Sequence, residues 1–383
     1  MKARALRFLL VGLAVLIDPR QGVCQSIDWQ GQLSGWFAAS DAKASKPQLG
    51  LRYIPTFSLK KTFDKNFAFA AEASINAFGS AQFSRRDSIQ TSQGLKPYRL
   101  WLRLSTDQFE ARLGLQKINF GSAMLLRPLM WFDRIDPNDP LQLTDGVTGL
   151  LVKYTFLNNA NIWLWGLYGN DDPKGWEAVP SQRKSVEYGG RFQVPVLAGE
   201  LAFSYHHRRI DPQRSLYPLP PEEKRAIPEN RLALDGKWDI GPGVWFEAVL
   251  VQQDFEFYRL RVQKYLNLGL DYTFSIGNGL HFLTEFLATT SSEKIQGAGE
   301  TIRFSDVSLD YPLGLLDRIR GMVFYNWKTK DWYRFITWQR TYDRWSFYLI
   351  GFWNPEEYRI YTSQQEKSLF GGKGIQIMAV FNH

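Results

Sequence analysis

The feature that most constrains this chain is a period-two alternation of apolar and polar residues, repeated from residue 27 onward and broken by turn-forming segments. In 67–77, Phe67, Phe69, Ala71, Ala73 and Ile75 fall on one face, and Ala68, Ala70, Glu72, Ser74 and Asn76 on the other. In 98–105, Tyr98, Leu100, Leu102 and Leu104 oppose Arg99, Trp101, Arg103 and Ser105. In 266–274, Leu266, Leu268, Leu270, Tyr272 and Phe274 oppose Asn267, Gly269, Asp271 and Thr273. Such segments are strands with one apolar face. A soluble sandwich alternates in the same way, so the decision rests on the connections.

The links between the runs are of two kinds that take turns. Long, polar or Pro/Gly-rich links lie near 40–47, 79–96, 117–147, 170–184, 210–229, 253–263, 290–300, 328–331 and 354–372. Short ones lie near 61–66, 105–108, 157–160, 196–199, 240–243, 275–279, 314–317 and 342–344. The link at 328–331 is grouped with the long ones by position although it is short. Tight turns at one end and loops at the other are the signature of an outer-membrane barrel. Runs of about nine to twelve residues are what a tilted strand needs to cross a bilayer. The expectation is therefore an all-β fold, a transmembrane antiparallel β-barrel of eighteen strands. Sixteen is the alternative, because 161–169, 319–327 and 345–353 carry large apolar residues on both faces. Closure is required, since no backbone edge can face lipid.

Composition supports the same class. Phe, Tyr and Trp make up 15% of the residues, and Trp29, Phe37, Phe109, Tyr154, Phe156, Phe274, Trp345 and Phe381 stand near strand ends, as interfacial girdles do. After residue 24 no run of eighteen apolar residues could form a spanning helix. Residues 1–24 read as a cleaved secretory signal: Lys2, Arg4 and Arg7 precede the apolar run Phe8–Ile17, and small Gly22 and Cys24 precede Gln25. Val23 before Cys24 does not suit lipidation. Cys24 is the only cysteine, so cleavage excludes disulfides, a thiol nucleophile and cysteine-ligated metals from 25–383, the expected barrel domain. The formal charge of +8 falls by 3, to +5, when Lys2, Arg4, Arg7, Asp18 and Arg20 are removed; in an exported chain that balance favours anionic surfaces over nucleic acid.

The segment from Arg112 to Asp145 contains Arg112, Gly114, Gln116, Asn119, Gly121, Arg127-Pro128, Asp133-Arg134 and Asp136-Pro137-Asn138-Asp139-Pro140. With the strand pattern over 25–383, it resembles the large porin and alginate-export-like barrels. The resemblance implies a strand followed by an infolded loop that narrows a pore. Near the C-terminus, Gly374, Gln376, Met378 and Val380 alternate with Ile375, Ile377, Ala379 and Phe381. This resembles the recognition signal of bacterial outer-membrane barrels and implies the barrel assembly machinery as a partner. The Asn382–His383 ending departs from the usual terminal Phe and resembles barrels of the Bacteroidota.

With apolar positions assigned to lipid, Arg99, Arg103, Arg112, Arg191, Arg208 and Arg231 fall inward, as do Glu72, Glu110, Glu187, Asp235, Glu247, Asp271, Glu285, Asp306 and Asp310. Such charges either pair across the wall or set a transverse field, with basic residues in the first half of the chain and acids in the second. The lumen-wall candidates are Arg99, Trp101, Arg103, Arg112, Arg191, Glu247, Asp271 and Glu285. Loop 117–147 is rich in apolar residues (Met124, Leu125, Leu126, Leu129, Met130, Trp131, Phe132) and is either an infolded constriction or an outer cap. Infolding places Arg127, Asp133, Arg134, Asp136 and Asp139 at the narrowest point. Inward Trp101, Trp245, Trp163, Trp165 and Trp338 are candidates for sugar-stacking rails or plain packing.

Enzymatic signals are weak. His206, His207, His281 and His383 show no nucleophile pairing, and there is no phosphate loop, zinc signature or nucleotide fingerprint, so neither catalysis nor a cofactor is expected. The interleaved Trp327, Lys328, Lys330, Trp332, Tyr333 and Arg334 suit anchoring beside lipid and lipopolysaccharide at the rim better than nucleic acid. With no plug domain or energy-coupling box evident, the expected activity is passive diffusion of small hydrophilic or anionic solutes across the outer membrane of a Gram-negative cell. Specific saccharide transport is the alternative, and a lipid-acting barrel enzyme a weaker one.

Overall fold

The computed structural model describes residues 25–43, 45–64, 66–83, 89–216, 226–255, 261–356 and 369–383. The expected signal segment, 1–24, lies outside them. The strands are β1 (Gln25–Ser40), β2 (Gln48–Asp64), β3 (Phe67–Phe83), β4 (Ile89–Ser105), β5 (Phe109–Gln116) and β6 (Val147–Thr155). There follow β7 (Asn161–Tyr168), β8 (Val186–Val196), β9 (Gly199–Ile210), β10 (Ile227–Asp239), β11 (Gly243–Gln253) and β12 (Val262–Phe274). The last six are β13 (Leu280–Ser292), β14 (Glu300–Pro312), β15 (Asp317–Asn326), β16 (Asp331–Thr341), β17 (Trp345–Trp353) and β18 (Lys373–Asn382).

Every strand pairs antiparallel with its neighbours in sequence, and β1 pairs with both β2 and β18, so the eighteen-stranded sheet closes on itself. The seam runs in register from Gln32–Asn382 to Ser40–Gly374. Beyond it the backbones of Gly31 and His383 exchange two hydrogen bonds. Alternation sets the two faces. On β10, Leu232 and Leu234 are exposed on the outside, while Arg231, Ala233 and Asp235 are buried inside. All the even-to-odd links are tight turns, and the odd-to-even links lie at the opposite end, as the link pattern predicts.

Two expectations are corrected. β1–β4 are 16, 17, 17 and 17 residues long, not nine to twelve. Much of the link expected at 79–96 is strand, with 84–88 outside the described residues. Seventeen residues extend about 56 Å, or about 40 Å of height at a tilt near 45°, so this part of the wall outreaches the apolar band of about 25 Å. A register shift against β3 leaves Tyr98 unpaired next to Pro97, which has no N–H to give to the ladder. The second correction concerns Trp338. It pairs with Ile319 and Leu349 on the outer face and donates to Asp317, so it does not point into the lumen.

The core lies inside the barrel. Residues of the β5–β6 link, 117–146, form two apolar clusters with the inner faces of β6, β7, β10, β11 and β13–β17. This explains the strands with apolar residues on both faces. Trp165 and Leu167 on β7, Met322 and Phe324 on β15, and Ile350 and Phe352 on β17 point inward and are covered.

Candidate functional site

The β5–β6 link carries a run of apolar residues through the lumen without helix or strand to satisfy its backbone. Buried N–H groups need acceptors, and two wall carboxylates supply them. Glu285 on β13 accepts from the backbone N–H groups of Met124 (2.6 Å), Leu125 (3.2 Å) and Leu126 (2.6 Å). Glu247 on β11 accepts from those of Ala123 (2.8 Å) and Leu129 (3.2 Å). Between them Asn267 on β12 donates to the Leu126 carbonyl (2.9 Å). Bonds to an ionised acceptor are shorter and stronger than neutral ones. Gly121 makes this approach possible: its φ is +92°, and a Cβ there would collide with Glu247 Oε1.

The five loop residues expected at the narrowest point separate into two sets. Arg127 and Asp133 are buried and turned into the loop itself: the guanidinium lies 3.4 Å from the Asp133 carboxylate and donates to Asn119. Burial pushes the Asp133 carboxyl up, against the opposing pull of Arg127 and Lys117. Asp136 and Asp139 shape the turn, accepting from the N–H groups of Asn138, and of Leu141 and Leu143, respectively. Burial raises the Asp139 carboxyl against these backbone bonds and the charge of Arg52. Arg134 is part-exposed and lies 3.6 Å from Asp145. Burial works to raise Asp145 too, but Lys96 at 2.7 Å, aided by Arg134 and Lys174, holds it below the usual carboxylate range.

The second long link, 169–185, braces the first. Trp176 donates its indole N–H to the Arg127 carbonyl (2.9 Å), and the Gly175 N–H reaches the Asp133 carbonyl (3.0 Å). Beneath this link, Arg208 and Arg231 are held between Glu229 and Glu177, with Arg208 to Glu177 at 3.0 Å and Arg231 to Glu177 at 2.6 Å. His206 accepts from the Trp165 indole at Nδ1 (3.1 Å), leaving Nε2 3.3 Å from Glu187. The sequence placed Arg208, Arg231 and Glu187 on the inner face. It gave no sign that Trp176 and Glu177 come from a loop to meet this wall.

The lumen-wall candidates also divide. Arg191 is committed to a bidentate pair with Asp235 (2.6 and 2.7 Å), and Glu247 and Glu285 are committed to the loop. Asp271 lies half-buried against Gly243. Among the tryptophans, Trp165 and Trp245 are buried packing, whereas Trp101 and Trp163 are half-buried and carry cations. Arg112 and Arg103 lie 4.9 and 5.8 Å from the Trp101 ring, and Lys153 lies 3.6 Å from that of Trp163. Arg103 and Arg112 share one carboxylate, Glu110, at 3.5 and 3.0 Å. Arg99, further along β4, donates to the Thr144 carbonyl at 3.1 Å and so ties the end of the loop to this wall. Of the far wall's acids, Glu247 and Glu285 turn to the loop, Glu229, Asp235 and Asp310 to arginines, Glu187 to His206 and Asp306 to the Glu285 N–H, while the near wall keeps more cations than acids in its half-buried cluster.

No protein-family profile matches this chain, and no curated protein sequence does. Among solved structures it is similar to OccAB4 of Acinetobacter baumannii, with a TM-score of 0.56 and 9% identity over 96% of this chain and 100% of that one. It is similar also to OccK5 (OpdH) of Pseudomonas aeruginosa, with a TM-score of 0.56 and 11% identity over 93% and 98%. A third likeness is to OmpT, an outer membrane protein of Vibrio cholerae solved in a trimer form, with a TM-score of 0.53 and 11% identity over 94% and 100%. What these proteins share with the chain is the fold.

Proposed function

We propose that this protein is an outer-membrane channel for passive diffusion of small hydrophilic solutes, leaning to anions and narrowed by its 117–146 loop. An eighteen-stranded barrel is wide enough to leave an aqueous passage beside such a loop. The observation that carries the anion preference is the Arg103–Glu110–Arg112 cluster, two guanidiniums to one carboxylate on the wall that the apolar clusters leave uncovered. Fixed charges of one sign at a narrow passage set ion preference. In this reading Arg134, Asp136 and Asp139 border the aperture, Arg99, Trp101, Arg103 and Arg112 line it, and Arg127 and Asp133 stiffen the loop that forms it. No step in it is enzymatic. Export through a cleaved 1–24 signal and insertion by the assembly machinery through β18 belong to the same reading.

The rim supports lipid as a partner. Arg334 lies outside on β16, 5.5 and 5.9 Å from the rings of Trp332 and Trp353, where an anionic lipid headgroup or lipopolysaccharide phosphate fits. A second reading, specific passage of a saccharide as in alginate-export-like barrels, draws on half-buried Trp101 and Trp163. Swelling of liposomes loaded with the refolded barrel separates the two. Small organic anions entering faster than neutral sugars of equal size support the first reading. Saturable entry of an oligosaccharide, lost in Trp101→Ala, supports the second. No swelling with any solute contradicts both.

A further inference from the structure

We propose that Glu247 and Glu285 are positioning residues for conduction, fixing the width of the lumen by holding the loop backbone. The inference rests on the channel reading and adds to it the residues that set the aperture. Neither carboxylate is available to a passing solute: each is buried, and its oxygens face backbone N–H groups of residues 123–129. Neither is paired with a wall arginine or lysine among the described residues, unlike Glu229, Asp235 and Asp310. A carboxylate in an apolar cluster with no counter-ion is costly. The cost is offset where the group accepts several strong hydrogen bonds, and five loop N–H groups provide them.

The two side chains divide the work. Glu285 takes three consecutive amides, 124–126, and Glu247 takes those on either side, 123 and 129. The apolar side chains around them set affinity between loop and wall but not register, since a greasy surface can slide. Directed bonds from two strands, β11 and β13, on either side of β12 fix the height and rotation at which the loop crosses the lumen. The aperture-bordering residues 134–145 inherit their position from this anchor.

Glu→Gln is the test, because it keeps side-chain volume while replacing one acceptor oxygen by an NH2 group that faces donors. Amide hydrogen exchange of the refolded full-length barrel is followed residue by residue in detergent. In Glu285→Gln, exchange at 124–126 speeds up by about 10- to 100-fold, as expected for losing a hydrogen bond to a charged group. In Glu247→Gln the same gain appears at 123 and 129. Conductance of both variants rises and becomes noisier. Glu285→Asp, which keeps the charge, recovers part of the protection. Unchanged exchange at all five amides in both folded variants overturns the proposal. So does an equal gain at 141 and 143, which bond to Asp139 and not to either glutamate, because that is general loosening. A parent barrel that is silent in bilayers counts against the channel reading and, with it, the role in conduction; the exchange pattern still decides whether the two glutamates hold the loop.

Discussion

The inner wall of this barrel has two halves built on different chemistry. Over β6–β17 the inward residues that meet the loop are apolar (Leu151, Trp165, Leu167, Val249, Leu283, Leu287, Phe324, Phe352), interrupted by buried ion pairs such as Arg191–Asp235 and Arg208–Glu229. Over β18 and β1–β5 no inward residue joins either large apolar cluster; Ser34, Ser74, Asn76 and Arg99 point inward but are buried, and Arg52, Glu72, Arg103 and Arg112 point inward and are half-buried. One half is a core that happens to lie inside a barrel, and in the proposed channel the other is the wall of the passage. Substitutions in the first half are therefore expected to cost stability, and in the second to change what passes.

The largest effect is expected at Arg208. It is fully buried between Glu229 and Glu177, and Arg208→Ala leaves the two carboxylates sharing a single guanidinium, that of Arg231. Breaking such a buried network costs about 3–5 kcal/mol, read as a lowered urea midpoint for the refolded barrel. Leu126→Ala comes next. Its side chain is inaccessible in the larger cluster, and truncation costs about 2–5 kcal/mol. If Leu126→Ala leaves unfolding unchanged, the loop is not part of the core and the contrast between the halves fails.

On the other wall, Arg103→Ala and Arg112→Ala shift stability by only about 0–1 kcal/mol, as for part-exposed pairs. Each moves the reversal potential in a salt gradient toward cations. Equal shifts from Arg191→Ala, whose charge is neutralised by Asp235 in a buried pair, would erase the distinction between wall and core. The smallest effect concerns acid. Asp145 is held below the usual carboxylate range, so its bridge to Lys96 and Arg134 is complete above that range and lost as pH falls through the depressed value. The contribution of the bridge to conductance is accordingly flat from pH 7 to about pH 5 and changes only below about pH 4. Asp145→Asn removes that acid-side change.

The contrast also marks what the sequence conveys. Alternation on 266–274 and the turn-taking of long and short links point to a closed barrel of eighteen strands, with sixteen left open, because lipid imposes one apolar face on every strand. The same rule misleads where the inner face is also apolar. Trp165, Phe324 and Phe352 obscure the phase of their strands, since they answer to a loop far away in sequence rather than to lipid. The apolar run from Met124 to Phe132 marks the loop as one that is buried somewhere, but the Arg127–Asp133 pair cannot be told from two pore-facing charges by residue type. That Glu247 and Glu285 meet backbone amides more than a hundred residues away is a matter of tertiary distance. Trp176, bonding to a carbonyl of another loop, leaves no local signal at all.

The central claim is that the cationic half of the wall borders an open passage. Single-channel recording of the refolded mature barrel in a planar bilayer, with the reversal potential measured across a salt gradient, tests it most directly. Discrete, steady steps with an anion-selective reversal potential that weakens in Arg103→Ala are the predicted result. A correctly folded barrel that gives no steps, or one whose selectivity ignores Arg103 and Arg112, would contradict it.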